Sequence, residues 1–320
     1  MIETSRDLSF GGCFFSFNLM ILWGIMIWLI GCKGMLGTEI SRTLSENNID
    51  FRGTDIDVDI TNINALEKFA SSLSNLEFII NCSAYTAVDK AESDTEFAKK
   101  LNADGPENIA KVAKKIGAKM IHISTDYVFD GSAKEPYTEE SQISPIGVYG
   151  KTKAAGENRI RQILNEFYII RTAWLYGWAG KNFVYTMIKA MNSHDSIKVV
   201  GDQRGTPTFA GTLAGVILKI VQNKNVPYGI YHCTDEGEIS WWDFACEIKK
   251  QGVLSSLVTN SSCAVNECTT ADYPTPAKRP EYSVLSKQKI QKTLGITLPD
   301  WKESLKVFLE SPLFDKTRIQ

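Results

Sequence analysis

The chain has 320 residues, of which 43% are hydrophobic and 22% charged, as expected for a globular protein of one large or two modest domains. Its formal net charge of -2 excludes the strongly basic surface of nucleic-acid-binding proteins, so no nucleic-acid partner is expected. The seven cysteines form no Cys-x-x-Cys pair and there are only three histidines, which argues against a structural zinc site and fits reduced thiols in a cytoplasmic protein.

An apolar run near the N-terminus, Cys13–Ile30, is just long enough to be considered as a membrane span. Its last five residues, Met26–Ile30, lead directly into a glycine-rich turn and have the composition of a buried first strand. One segment cannot both cross a bilayer and form the centre of a sheet. We therefore predict a non-native or disordered extension at residues 1–25, a domain that begins at Met26, and no membrane partner; a membrane anchor ahead of the domain is the alternative.

Beyond Met26, short apolar strands alternate with longer helical segments, which predicts an α/β fold with a Rossmann-type doubly wound parallel sheet. The predicted strands are Met26–Ile30, Asp50–Thr54, Phe78–Asn81, Lys119–Ser124, Tyr168–Thr172 and Gly229–Cys233. The predicted helices are Leu36–Asn47, Leu66–Leu73, Thr95–Ile116, Tyr149–Glu166, Ser240–Gln251 and Leu285–Leu294. A loop that contains proline is predicted at Val265–Pro280.

The turn after the first strand carries Gly31, Gly34 and Gly37 in a G-x-x-G-x-x-G pattern. Small residues let the backbone approach a pyrophosphate, and the N-terminus of the following helix offers free N–H groups. Glycines also occur at purely structural turns, but the strand-turn-helix context favours a dinucleotide site.

Two carboxylates follow the second predicted strand. Asp55 is placed to bind the adenosine ribose and should repel a 2′-phosphate, which favours NADH. Arg52 could offset that repulsion, so the preference between NADH and NADPH stays open. Asp59 either accepts a hydrogen bond from the adenine amine or caps the next helix.

A tyrosine and a lysine, Tyr149 and Lys153, are spaced i and i+4, which places both on one face of a helix. An ammonium beside a phenol lowers its pKa towards the range useful for proton transfer. Thr125 follows a predicted strand at the edge where open parallel sheets form active sites, and Ser124 is the alternative hydroxyl. These residues predict hydride reduction of a carbonyl. A second Tyr-x-x-x-Lys pair, Tyr185 and Lys189, is interpreted as an ordinary helix face.

Small residues follow the third predicted strand in the segment 81–86. They leave room for the ribose and diphosphate of a cofactor, although small residues at strand ends also serve packing. Asn102 lies inside a predicted helix, where asparagine is mildly unfavourable. It either supports a water network at Lys153 or is an exposed polar residue.

Together these motifs resemble the dTDP-4-dehydrorhamnose reductase family of extended short-chain dehydrogenase/reductases. The similarity runs from Met26 to about Phe308. The segments that carry it are GCKGMLG, NCSAYTAVDKAESD, ISTDYVFDG, SPIGVYGKTKAAGE, RTAWLYG, DQRGTPTFA and TPAKRPEYSVLS.

The resemblance implies that NAD(P)H reduces C4 of dTDP-4-dehydro-L-rhamnose to give dTDP-L-rhamnose for polysaccharide biosynthesis. NADPH is the expected cofactor, with NADH as the alternative, and Tyr149 is the expected proton donor, assisted by Lys153 and Thr125. The residues implied at the cofactor are Gly31, Gly34, Met35, Leu36, Asp59, Ile60, Ala84, Tyr85, Thr86, Tyr149 and Lys153. The residues implied at the sugar nucleotide are Thr125, Asp126, Trp174 and Arg279.

Two of these substrate assignments have plain structural alternatives. Trp174 suits an apolar wall against a sugar or a base, but it could equally be a core residue. Arg279 could present its bidentate fork to a diphosphate, or it could be a surface residue beside the Pro280 turn. We expect residues 26–174 to form the NAD(P)-binding Rossmann domain and residues 175–320 to form a smaller, mainly substrate-binding α/β portion interleaved with it.

Some members of the resembled family bind Mg²⁺ through carboxylates at a homodimer contact. Glu39 could supply one ligand, but Gly211 stands where those members carry an acid. We therefore predict no metal site and leave Mg²⁺ and that homodimer undecided. Alternative functions are another nucleotide-sugar reductase or epimerase, or a non-catalytic NADP-binding subunit resembling the regulatory subunit of methionine adenosyltransferase, against which the intact catalytic residues argue.

Overall fold

The structure is a computed structural model that describes residues 24–319. The predicted extension at residues 1–25 therefore lies outside the described residues, apart from Gly24 and Ile25. The described strands are β1 Met26–Ile30, β2 Phe51–Thr54, β3 Leu76–Asn81, β4 Lys119–Thr125, β5 Phe167–Thr172, β6 Leu175–Tyr176, β7 Ser196–Val200, β8 Arg204–Gly205, β9 Thr208–Phe209, β10 Gly229–His232, β11 Ile239–Ser240 and β12 Ala264–Cys268.

Six of these strands form one parallel sheet in the order β10-β5-β4-β3-β1-β2. This topology confirms the predicted Rossmann-type α/β class. Alternate residues of β1 pack on opposite faces: Ile27 and Leu29 join one apolar cluster, and Trp28 and Ile30 join another. Because both faces are covered, the strand is an unbroken apolar run.

The described helices are α1 Met35–Glu46, α2 Ile63–Ala70, α3 Val88–Ala91, α4 Thr95–Lys99, α5 Gly105–Ile116, α6 Val148–Ile163, α7 Phe183–Ser193, α8 Ala210–Gln222, α9 Trp241–Leu254, α10 Gln288–Leu294 and α11 Trp301–Glu310. The six predicted helices are present with shifted boundaries, whereas α7, α8 and α11 match no predicted helix. Buried residues of α1 and α8 share one apolar cluster, and buried residues of α2, α5 and α6 share the other. Among residues 24–319, none of the helices has the length and apolar character needed to cross a membrane.

The predicted helix Thr95–Ile116 is interrupted by a π-helical turn at Lys100–Asp104, between α4 and α5. Asn102 lies in this turn and is fully buried, so its interpretation as an exposed polar residue is wrong. Its Oδ1 accepts from the backbone N–H of Tyr85 at 2.8 Å, and its Nδ2 donates to the Tyr85 carbonyl and to Thr152 Oγ1, both at 3.1 Å. The π turn thereby holds the segment after β3 against α6.

The C-terminal residues contribute to the main sheet as well as to a second, aromatic-rich core. Strand β10 pairs with β5, and a separate parallel pair joins β7 to β12. The loop predicted at Val265–Pro280 is therefore wrong at its start, because β12 occupies Ala264–Cys268. This strand has no buried residue, so it lacks the buried apolar pattern that predicts strands.

Candidate active site

A cleft of about 1110 Å³ opens where the strands of the main sheet end. Gly31 follows β1, Asp55 follows β2, Cys82 follows β3 and Asp126 follows β4, and all four residues line the cleft. Parallel strands bring their carboxyl ends to one edge of the sheet, which is where ligands bind in open α/β folds.

The glycine-rich turn forms one wall of this cleft. Gly31 has φ +77°, and a Cβ added there would lie 2.8 Å from the backbone nitrogen of Ser83. The turn therefore needs glycine for both its conformation and its close approach to the neighbouring segment. In the described part of the chain, no side chain caps the start of α1, where Gly34 is the N-cap residue. These features fit a diphosphate held at a helix N-terminus.

Residues expected at the cofactor surround this turn. Those that line the cleft are Gly31, Gly34, Met35, Leu36, Asp59, Ile60, Ala84, Thr86, Tyr149 and Lys153. Tyr85 is instead buried behind the wall, with its hydroxyl donating to Asp94 Oδ2 at 3.1 Å. Asp59 does not cap α2, because Asn62 accepts from the first N–H groups of that helix; the capping alternative is wrong.

Three lysines that the sequence analysis did not single out also line the cleft, namely Lys33, Lys100 and Lys181. Asp55, which was expected at the adenosine ribose, lines it too, and its Oδ2 accepts from the Lys33 N–H at 3.1 Å. Arg52 lies on β2 with its guanidinium donating to the Phe51 carbonyl at 3.2 Å. Lys33 was visible inside the glycine motif, but Lys100 and Lys181 reach the cleft only through the fold.

The three predicted catalytic residues line the same cleft. Tyr149 and Lys153 lie on α6, and Thr125 is the last residue of β4. The Thr125 hydroxyl donates to Asp126 Oδ1 at 2.9 Å and accepts from the Tyr127 N–H at 3.2 Å. A hydroxyl, a phenol and an amine thus converge beside the dinucleotide turn.

The pKa of Tyr149 differs from the sequence-based expectation. Burial raises this pKa to about 12, although hydrogen bonding with Thr125 lowers it, and the charge of Asp126 raises it further. The expected lowering by Lys153 is absent among the described contacts, because the Lys153 amine donates to the Ile123 carbonyl at 2.6 Å and lies 3.3 Å from His122 Nε2. Tyr149 is consequently held as a neutral phenol, which is the proton-donating form.

Two neighbouring side chains have shifted pKa values of their own. Burial lowers the pKa of Lys153 to about 8, against the opposing effects of Glu157 and Cys82. Burial likewise raises the pKa of Asp126 to about 6, against hydrogen bonds from Ser283 and Thr125. Both groups therefore change charge close to neutral pH.

Ser124, the alternative catalytic hydroxyl, is held by a buried ion pair. Its Oγ donates to Glu157 Oε1 at 2.5 Å, and both oxygens of Glu157 accept from the Arg171 guanidinium, at 3.0 and 2.7 Å. The hydroxyl hydrogens of both residues thus have carboxylate acceptors, Glu157 for Ser124 and Asp126 for Thr125.

Trp174 lines the cleft in a left-handed backbone conformation with φ +47°. Its indole stacks on Trp241, with ring centroids 3.6 Å apart. Arg279 does not line the cleft; its guanidinium hydrogen-bonds Tyr127, which does, and pairs with Asp89 at 3.0 Å. The structure therefore places Trp174 and Asp126 in the cleft, and Arg279 outside it beside the lining residue Tyr127.

The second Tyr-x-x-x-Lys pair lies elsewhere in the molecule. Tyr185 is buried in the aromatic-rich core, and its hydroxyl accepts from the Asp315 N–H at 3.1 Å. Within residues 24–319 there is also no group of three or more histidine, cysteine, aspartate or glutamate side chains that could hold a metal. Glu39 is paired with Arg42.

Comparison with known proteins agrees with this architecture. The RmlD substrate binding domain family matches residues 25–313. The dTDP-4-dehydrorhamnose reductase of Aggregatibacter actinomycetemcomitans is 39% identical over 288 residues, which cover 87% of this chain and 96% of that protein.

Two solved structures extend the similarity to three dimensions. A dTDP-4-dehydrorhamnose reductase from Clostridium acetobutylicum superposes with a TM-score of 0.83 at 47% identity, covering 89% of this chain and 98% of the other. The Bacillus anthracis dTDP-4-dehydrorhamnose reductase, solved in complex with NADP, superposes with a TM-score of 0.82 at 35% identity and covers 88% and 98%. The chain therefore belongs to the dTDP-4-dehydrorhamnose reductase family of NAD(P)H-dependent oxidoreductases.

Proposed function

We propose that this chain reduces the C4 keto group of dTDP-4-dehydro-L-rhamnose to give dTDP-L-rhamnose, with Tyr149 as the proton donor. The observation that carries the proposal is the convergence of Thr125, Tyr149 and Lys153 on the cleft formed by the glycine-rich turn. A carbonyl placed there would meet a hydrogen-bond donor and a neutral phenol at once.

Each side chain then has a distinct task. Thr125 orients the substrate oxygen, and Tyr149 gives its proton to that oxygen as negative charge develops there. Lys153 donates a hydrogen bond to the nicotinamide ribose and faces Tyr149 on the same side of α6. Bound NAD(P)H would supply the hydride.

We infer that NADPH is the preferred cofactor and that NADH is accepted. The Bacillus anthracis relative, which binds NADP, supports this choice. Lys33 in the cleft wall can attract a 2′-phosphate, whereas Asp55 repels it. These opposing charges support the use of both cofactors.

On the substrate side, we propose that Trp174 forms an apolar wall for the sugar nucleotide and that Asp126 accepts from a sugar hydroxyl. Both residues line the cleft. Arg279 would bind the diphosphate by exchanging its contact with Asp89, which is partly exposed, for the ligand.

The test is turnover of dTDP-4-dehydro-L-rhamnose with NADPH and, separately, with NADH, followed by loss of reduced-nicotinamide absorbance. We expect turnover with both. The same assay with other 4-keto nucleotide sugars distinguishes a related reductase. Cofactor binding without turnover of any of these substrates would contradict catalysis and favour a regulatory subunit.

A further inference from the structure

The amine of Lys153 is enclosed on the side that faces the sheet. Lys153 is 2% exposed, and its Nζ donates to the Ile123 carbonyl at 2.6 Å. Its second neighbour is the Nε2 atom of His122, a fully buried residue of β4, at 3.3 Å. The position of the proton on that imidazole therefore determines whether the Lys153 amine donates or accepts the hydrogen bond between them.

Asn81 determines which nitrogen of His122 carries the proton. The Oδ1 atom of Asn81 accepts from the backbone N–H of Ser83 at 3.0 Å and from its hydroxyl at 2.5 Å. A backbone N–H can only donate, so the amide oxygen must face Ser83 and the Nδ2 group must face His122. Nδ2 lies 3.0 Å from His122 Nδ1, which must therefore accept.

The remaining proton of His122 then points at Lys153. Burial, followed by the charge of Lys153, lowers the pKa of His122 well below its usual range, so the ring is neutral and carries one proton, on Nε2. A neutral amine at Lys153 accepts from that N–H, donates one hydrogen to Ile123 and keeps one for the cleft. An ammonium at Lys153 has no lone pair to accept from the His122 N–H, so two donors would face each other.

We propose that His122 is a positioning residue for Lys153: locked by Asn81 with its proton on Nε2, it donates to the Lys153 amine and disfavours the ammonium form. The cleft-facing hydrogen of Lys153 is thereby aimed at the ligand. The hydrogen bonds that run from Ser83 through Asn81 and His122 to Lys153 form a relay. This relay follows from the geometry alone, whereas its catalytic purpose rests on the proposed reductase function.

Other groups around Lys153 leave this effect in place. Burial raises the pKa of the Cys82 thiol to about 12, as it does for the Tyr149 phenol, so both are neutral. Glu157 favours the ammonium, but its carboxylate is paired with Arg171 on β5 at 2.7 Å. Among residues 24–319, Asp126 is a further carboxylate that lines the cleft with Lys153, and its pKa of about 6 leaves it charged when Lys153 titrates.

The molecule contains an internal control for the proposed tautomer. His232 is buried on β10, with its Nδ1 lying 3.1 Å from the Tyr137 carbonyl and its Nε2 lying 3.4 Å from Arg171. A carbonyl only accepts and a guanidinium only donates, so the proton of His232 is on Nδ1. The two buried histidines are thus expected to be opposite tautomers.

Nitrogen-15 NMR of the cofactor-free, histidine-labelled protein tests the relay directly, because the chain has only three histidines. We expect His122 to stay neutral with its proton on Nε2 between about pH 6 and 9, and His232 to show the reverse tautomer. A His122 proton on Nδ1, or an imidazolium in this range, would overturn the proposal whatever the enzyme's activity.

Asn81→Asp reverses the relay. A carboxylate only accepts, so it draws the His122 proton to Nδ1 and leaves Nε2 to accept from an ammonium. We expect the Lys153 titration midpoint, read from carbon-13-labelled lysine and assigned with Lys153→Met, to rise by about one pH unit or more. Ser83→Ala is the matched control, because the Ser83 backbone N–H still fixes the Asn81 amide; its tautomer and midpoint should match the wild type.

The two measurements separate the possible explanations. A raised midpoint in Asn81→Asp with His122 still protonated on Nε2 would be an effect of charge alone and would refute the role of His122. If the tautomers are as expected but the protein turns over no nucleotide sugar, the proposed function fails and the relay stands.

Discussion

The indole rings of Trp174 and Trp241 stack face to face, with centroids 3.6 Å apart and planes 11° from parallel. Trp174 has φ +47°, a left-handed conformation that costs a bulky residue on the order of 1–3 kcal/mol. Its ring also lies against Gly205, where an added Cβ would be 2.5 Å from the indole. The position of Trp174 in the cleft is therefore imposed by its neighbours.

Removing the supporting ring should weaken substrate binding. Trp241→Leu takes away the stack that offsets the strain at Trp174, and we expect the KM for the sugar nucleotide to rise about tenfold. The affinity for NADPH, measured by fluorescence, should not change. Trp242→Leu is the matched control, since Trp242 instead donates to the Val265 carbonyl at 3.0 Å. Equal effects of the two substitutions on KM would contradict a positioning role for Trp241.

Tyr149→Phe tests the proton donor. The substitution removes the phenolic proton and leaves the ring in the cleft wall, so kcat should fall by about 100- to 10,000-fold while NADPH still binds. Tyr185→Phe is the matched control, because Tyr185 belongs to the second Tyr-x-x-x-Lys pair but lies in the core. It should retain kcat and lose about 1 kcal/mol of stability with its hydrogen bond from Asp315. Near-normal turnover by Tyr149→Phe would exclude it as the donor.

The sequence was sufficient to locate parts of this candidate site on their elements where those parts are close along the chain. The glycine turn, the end of β4 and the Tyr149–Lys153 pair are local patterns, and each was placed on its correct element. The Asn81–His122 contact joins residues 41 positions apart on neighbouring strands, and the direction of its hydrogen bond depends on how a third residue orients an amide. No local pattern encodes such a relation.

The stack of Trp174 on Trp241 was not predictable for a related reason. Its two residues are separated along the chain by strands β6 to β11 and by helices α7 and α8, and the strained backbone of Trp174 has no sequence signature. The strand β12 was missed because its residues are mostly exposed, so burial did not select an apolar pattern. Prediction was thus weakest where tertiary contacts override local preference.

Asp55→Asn tests the charge balance at the cofactor ribose. Asp55 lies in the cleft wall and accepts a hydrogen bond from the Lys33 N–H at 3.1 Å. The amide oxygen of an asparagine at this position can still accept that hydrogen bond. Loss of the negative charge removes repulsion of a 2′-phosphate, so the ratio of kcat/KM for NADPH to that for NADH should rise about tenfold. Asp50→Asn, an exposed change of equal charge before β2, should leave this ratio unchanged. An unaltered ratio in Asp55→Asn would show that Asp55 does not face the ribose.

The buried carboxyl group of Asp235 should make stability depend on pH. Burial raises its pKa to about 7, although its Oδ2 accepts from the Phe209 N–H at 3.0 Å at the start of α8. The pKa in the unfolded chain is about 4, so the folded state binds more protons between about pH 4 and 7. The stabilising contribution of Asp235 to the free energy of unfolding is therefore fully present below about pH 4 and is lost as the pH rises through about 7.

Asp235→Asn should abolish this loss, because asparagine keeps the acceptor oxygen and carries no charge. Relative to the wild type, the variant should gain on the order of a few kcal/mol of unfolding free energy between about pH 5 and 8. Urea unfolding of both proteins at about pH 5 and at about pH 8 measures this difference in unfolding free energy, with Asp50→Asn as the exposed control. A wild-type protein and an Asp235→Asn variant whose stabilities change in parallel with pH would mean that Asp235 is ionised in the folded state throughout this range.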